Sequence, residues 1–207
     1  MSFYDGGSVS NFFIIRTGIL GDFFQVGIVQ QYGFDGIDLD LENVLVDTEY
    51  LASYIKQLRV KDSSILLTAA PQIASKANGD AALQPDNIFT TDFLIEAKFD
   101  ALLVQEYNQR AGAVFDGLQD TAVGFISASF GPLTKIIPAT TKIVVGEPAN
   151  KSAGKGLSDP ADVVSDINRG NVLESPQYGG IMVWAINYDS TQGWSFADGI
   201  YTVVNAS

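Results

Sequence analysis

The sequence predicts an α/β protein built on a parallel sheet, and two observations carry that prediction. Short apolar runs of strand length alternate with segments of helical character, and the connections lack the tight turns of hairpins. The stretches that follow the strands are also richer in Asp, Asn, Gln, Pro and Trp than those that enter them. In a (β/α) barrel the working residues collect at the carboxyl ends of the strands, so this asymmetry points to that architecture. A length of 207 residues fits one domain spanning 1–207.

Taken in order, residues 1–11 are polar and glycine-bearing (Asp5-Gly6-Gly7) and read as a loop. From about Asn11 to Tyr32 apolar residues recur in pairs: Phe12/Phe13, Ile15, Ile19/Leu20, Phe23/Phe24 and Ile28. That spacing is helical, weakened by Gly18, Gly21 and Gly27, with Gly33 as the C-terminal cap. A strand follows over Phe34 to Glu42, then a helix over 47–60 opened by Asp47. Ile65 to Pro71 reads as a buried strand, and 72–90, with Asn78-Gly79 and Gln84-Pro85, as a long surface loop. A short helix at Asp92 to Ala97 precedes a strand from Phe99 to Tyr107. Gly117 to Phe130 reads as helix and Lys142 to Gly146 as strand. Asp159-Pro160 is a cap followed by proline and opens a helix to about Arg169. Gly180 to Asn187 is the last strand, and a short helix starts near Phe196.

The most informative of these segments is Phe34-Asp35-Gly36-Ile37-Asp38-Leu39-Asp40-Leu41-Glu42. Side chains alternate faces along a strand. Asp38, Asp40 and Glu42 therefore share one face, while Ile37, Leu39, Leu41 and, by parity, Asp35 take the other. Neighbouring acids on that face are ~7 Å apart at the usual strand rise. Three acids without a base favour retention of a proton within the set, which suits acid–base chemistry.

Composition narrows the chemistry further. A net charge of −12 argues against nucleic acid or an anionic membrane surface as a partner and leaves a neutral substrate. The sequence has no Cys and no His, which removes disulfides, thiolate chemistry and zinc–cysteine sites, together with the commonest general base. Carboxylates, Tyr or Lys must then do any acid–base work. The acidic row also admits a divalent-cation reading through oxygen ligands, but one strand presents its ligands in a line rather than around a sphere. No cofactor is expected. The opening residues lack the basic-then-apolar pattern of a signal peptide, and the longest apolar run is well short of a bilayer crossing.

The segment Asp35-Gly36-x-Asp38-x-Asp40-x-Glu42 resembles the signature of the family 18 glycoside hydrolases, chitinases with a (β/α)8 barrel of TIM type. Four further segments resemble the family in register, closest to its hevamine-like and small bacterial members. Leu67-Thr-Ala-Ala-Pro-Gln72 is similar to the fifth strand and Val104-Gln-Glu-Tyr-Asn108 to the sixth. Gly146-Glu-Pro-Ala149 resembles a seventh-strand Gly-Leu-Pro-Ala, and the stretch from Ser175 to Trp184, continuing to Asp189, resembles the eighth.

This resemblance implies retaining hydrolysis of β-1,4-linked N-acetylglucosamine polymers, in which the substrate's own acetamido group is the nucleophile. It implies Glu42 as general acid, Asp40 as the group that holds the acetamido N–H, Asp38 as its proton-sharing neighbour, and Tyr107 as a hydrogen-bond partner of the acetamido group. Gln105 and Asn108 would line the same subsite, Trp184 would form the apolar floor, and Gln72 and Met182 would complete the substrate-binding set. Trp194 and Tyr188 are weaker rim candidates, and Lys151 and Lys155 read as solvated loop charges. The partner is chitin or a chito-oligosaccharide, which leads to an expectation of secretion.

The motifs recognisable here begin at the family's fourth strand, so the barrel is expected to be incomplete. A missing N-terminal segment, self-association with a second copy, or unrecognised strand material in the opening residues would each complete it. Two other functions compete with a chitinase: a non-catalytic chito-oligosaccharide-binding relative, and an inactive fragment.

Overall fold

A computed structural model describes residues 2–4, 9–15, 29, 31–42, 47–109 and 112–204. Six parallel strands lie side by side: β2 (Val9–Ile15), β3 (Gly36–Leu39), β4 (Leu66–Ala69), β7 (Ala101–Gln105), β10 (Lys142–Pro148) and β11 (Tyr178–Trp184). At one margin β1 (Ser2–Tyr4) runs antiparallel to β2. A hairpin of β5 (Gln72–Ser75) and β6 (Ala81–Gln84) joins through Gln72, which pairs with Gln105. Among the described residues no ladder links β11 to β1 or β2. The sheet is therefore an open arc of the (β/α)8 type, an incomplete barrel.

The helices are α1 (Thr48–Lys61), α2 (Thr91–Ala97), α3 (Phe125–Ile136), α4 (Pro160–Arg169), α5 (Ile186–Ser190) and α6 (Ser195–Val204). Their starts obey local chemistry. The Asp47 carboxylate accepts from the amides of Glu49 and Tyr50, Thr90 from Phe93, and Asp159 from Ala161 just behind Pro160. The start of α3, Gly124, has no side-chain cap of its own. Buried Asp166 of α4 supplies one, accepting from Gly124, Ile126 and Ser127 at 2.7, 3.1 and 3.1 Å.

Strand alternation divides the interior into two layers. Ile37, Leu39, Leu67, Leu102, Val104, Ile143, Val145 and Ile181 pack against the helices in the main core. Ala101, Leu103, Tyr107, Val144, Met182 and Trp184 cluster on the other face, the one that bears the acids. Gly36 sits where β3 and β4 approach closely, and any Cβ there would overlap the Leu66 carbonyl. Only glycine lets the acidic strand lie that close to its neighbour.

Several segments depart from the sequence expectations, among them the last strand, expected to reach Asn187, which ends at Trp184 and gives way to α5 at Ile186. Strand β2 takes Val9 and Ser10 from the expected loop and 11–15 from the stretch expected to be helical, and Ser2–Tyr4, expected as loop, is also a strand. Phe12-Phe13-Ile14-Ile15 is rich in aromatic and β-branched residues, and its ladder to Gly36-Ile37-Asp38-Leu39 overrides the helical spacing. Of the rest of that expected helix only Val29, Gln31 and Tyr32 are among the described residues, and these are helical. The expected surface loop 72–90 contains the β5–β6 hairpin. Gly117 to Phe130 begins not as helix but as the second strand of a hairpin, β8 (Val114–Phe115) with β9 (Leu118–Gln119), and α3 starts only at Phe125. Asp116 and Gly117 both take positive φ, 49° and 78°, the two-residue turn that an Asp-Gly pair favours.

Candidate active site

A cavity of about 820 Å³ opens at the carboxyl ends of the parallel strands. The row of acids climbs its wall with falling burial: Asp38 is 1% exposed, Asp40 9%, and Glu42 lies at the surface. At its foot Thr68, paired with Asp38 across β3–β4, donates from Oγ1 to Asp38 Oδ1 at 2.5 Å. This links the deepest acid to the framework of the sheet.

Gln105, the last residue of β7, reaches across the cavity. Its Nε2 donates to Ala70 O at 2.8 Å and to Glu42 Oε1 at 3.1 Å, with Asp40 Oδ1 at 3.4 Å. A neutral amide thus ties together the upper two acids and strand β4 without adding charge. Gln105 is itself held, because its carbonyl accepts from Gln109 Nε2 at 2.8 Å, and that nitrogen also donates to the Tyr107 carbonyl. Tyr107 is 3% exposed, in the same face cluster as Met182 and the half-buried Trp184. Asn108, with φ of 59°, exchanges two hydrogen bonds with Lys155: Lys155 N to Asn108 Oδ1 at 2.8 Å, and Asn108 N to Lys155 O at 2.7 Å.

All nine residues singled out in the sequence line this one cavity: Asp38, Asp40, Glu42, Gln72, Gln105, Tyr107, Asn108, Met182 and Trp184. Trp194 and Tyr188 are not among the residues that line it, whereas Lys155, expected as a solvated loop charge, is. Gln109, Gln119, Asp120 and Thr121 were not anticipated. Gln119, Asp120 and Thr121 arrive with the β8–β9 hairpin, which the Asp116-Gly117 turn locates, and the Gln109 amide donates to Asp120 Oδ2 at 3.0 Å. Among the described residues, no group of three or more acids could hold a metal ion.

Two further carboxyls lie buried beneath the site. Glu106 and Glu147 alternate away from the acid row, and each is fully enclosed. Glu106 accepts from Ser129 Oγ at 3.0 Å, and Glu147 from the Leu157 amide at 3.0 Å. Burial pushes Glu106 up to about 8, against the Ser129 hydrogen bond and with help from nearby Asp166. Burial, then the neighbouring Glu106, holds Glu147 well above the carboxylate range.

Comparison with known proteins finds chitinases among the relatives. The chain is 32% identical over 167 residues to chitinase 3 of Candida albicans, covering 78% of this chain and 26% of that protein. It is 29% identical over 204 residues to endochitinase 4 of Metarhizium robertsii, covering 84% and 56%. The C-terminal domain of Legionella pneumophila ChiA superposes with a TM-score of 0.62 at 21% identity, over 86% of this chain and 68% of that domain. The chain is similar to the family 18 chitinases. No family model matches this chain, and it spans less than two thirds of the length of the two curated relatives. A xylanase–α-amylase inhibitor protein in complex with trehalose also shares the fold of this chain. Its TM-score is 0.61 at 25% identity, over 81% of this chain and 56% of that one. No helix among the described residues is long and apolar enough to cross a membrane.

Proposed function

We propose that this chain carries the hydrolytic site of a chitinase, cleaving β-1,4-linked N-acetylglucosamine chains with retention. The observation that carries this reading is the graded acid row. Asp38, Asp40 and Glu42 rise from a buried foot to a solvent-exposed tip, and Gln105 holds the upper two beside a buried tyrosine and an aromatic floor. A neutral, hydroxyl-rich and acetamido-bearing sugar suits a cavity lined by amides, carboxyls and aromatic faces.

In this mechanism Glu42, at the mouth, gives its proton to the glycosidic oxygen, and the C–O bond to the leaving sugar breaks. The acetamido oxygen of the retained sugar bonds to the anomeric carbon. Asp40 accepts the acetamido N–H and offsets the positive charge of the oxazolinium ring, while Asp38 beneath it shares a proton with Asp40. Tyr107 orients the acetamido group, and Trp184 stacks under the sugar ring. Water then opens the ring, returning a proton to Glu42 and leaving the anomeric configuration retained. Chitin lies outside most cells that degrade it, so the substrate places the protein outside the cell.

The test is release of product from a fluorogenic chitobioside by the chain and by its Glu42→Gln form. Hydrolysis by the parent and its loss in E42Q, with chito-oligosaccharide binding kept, supports the reading. Equal rates in the two proteins remove Glu42 from the mechanism. The second reading is a sugar-binding relative without turnover. It is favoured by the open arc of the sheet and by the likeness to an inhibitor protein in complex with trehalose. Chitotetraose binding by a parent that releases no product would select it.

A further inference from the structure

The loop that follows β10, residues 149–157, forms part of the cavity wall through Lys155. A carboxyl with no part in the proposed sugar chemistry ties it down. Fully buried Glu147 accepts the Leu157 amide on Oε2 at 3.0 Å. Two residues earlier the Lys155 backbone is bonded twice to Asn108, at 2.7 and 2.8 Å. Between these anchors Gly156 has no room to spare. A Cβ there would lie 2.5 Å from Glu147 Oε2, 2.7 Å from Tyr107 Cβ and 2.8 Å from Pro148 Cδ. Glu147 and Tyr107 therefore press on the same residue of the loop.

We propose that Glu147 is a positioning residue for the Tyr107–Asn108 wall: by holding the Leu157 amide it fixes the 155–157 segment against which Tyr107 and Asn108 are seated. Its consequence for sugar binding rests on the function proposed above, whereas the anchoring does not. Burying a carboxyl is costly unless it is neutral and hydrogen-bonded. Here both conditions hold. Burial above all, and then Glu106 just past β7, Asp120 beside the β8–β9 hairpin and Asp166 of α4, disfavour a charge on Glu147. The protonated group still has an oxygen free to accept the amide.

The experiment compares the 207-residue chain with Glu147→Met and Glu147→Gln, reading backbone amide exchange, chitotetraose affinity and Tm. Met has similar length but no strong acceptor, whereas Gln retains one. In E147M the amides of Lys155, Leu157 and Asn108 exchange roughly tenfold faster, and the chitotetraose Kd rises by about the same factor. Tm stays level or rises, because a buried carboxyl has gone, and E147Q restores the parent exchange and affinity. A merely structural residue would move Tm and affinity down together. Parent-like exchange in E147M overturns the anchoring, and faster exchange with an unchanged Kd overturns its role in the wall. If even the parent fails to bind chitotetraose, the sugar reading fails and the exchange data alone judge the anchor. Should E147M not fold, Gly156→Ala forces the same wedge from within the loop. Parent-like exchange and affinity in G156A then refute the proposal.

Discussion

Replacing Glu106 by glutamine isolates the cost of enclosing a carboxyl between the sheet and the helices. In the folded chain this group titrates near 8, against an ordinary value of 4.5. Burial encloses it, Ser129 on α3 bonds to one oxygen while the other has no partner, and Asp166 faces it as a like charge. Because the folded pKa is raised, the stability associated with this group is complete below pH 4.5 and is lost as pH climbs toward 8. Over the 2.5 units from 4.5 to 7, at 1.36 kcal/mol per unit, the loss reaches about 3 kcal/mol. The amide of E106Q keeps an oxygen for Ser129 and cannot ionise, so this slope disappears. Burying the extra N–H₂ costs about 1 kcal/mol at every pH, so E106Q is slightly less stable than the parent at pH 4 and more stable at pH 7. The quantity to measure is the change in that difference. Urea unfolding from pH 4 to 8 should give curves that converge and cross, with a relative gain for E106Q of about 3 kcal/mol by pH 7, or roughly 6–12 °C in Tm for a chain of this size. Parallel curves for the two proteins would show that Glu106 ionises in the fold as easily as in water, and the burial argument would fail.

Two other substitutions test the framework that presents the site. Asp166→Ala leaves three buried or half-buried amides at the start of α3 without their acceptor, and should cost about 3 kcal/mol in denaturant unfolding; a loss below about 0.5 kcal/mol would mean that water caps the helix equally well. Gly36→Ala drives a methyl into the Leu66 carbonyl beside the acid row. It should lower stability by roughly 1–3 kcal/mol and reduce hydrolysis further at temperatures where the chain is fully folded; an active, undestabilised G36A would contradict the close approach of β3 and β4.

How much of this was legible in the sequence differs from segment to segment, and the reasons are physical. The side-chain period of a strand is two whatever the strand's neighbours are. The alternation from Gly36 to Glu42 therefore determined by itself that the three acids share a face and that Ile37, Leu39 and Leu41 enter the core. Cap chemistry is equally local, and Asp47 and Asp159-Pro160 marked the starts of α1 and α4. Residues 9–15 were not legible, because their apolar pairs fit a helix and a strand alike, and only the ladder to Gly36-Ile37-Asp38-Leu39 decides between them. What only the tertiary structure decided is which distant residues meet. Gln105 bridges to Glu42 across 63 positions, Asp166 caps a helix some 40 residues before it, and Glu147 shares a fully enclosed layer with Glu106. A carboxyl's environment is set by the elements packed around it. The sequence could mark Glu106 and Glu147 only as acids, and it is burial in the fold that disfavours their charge.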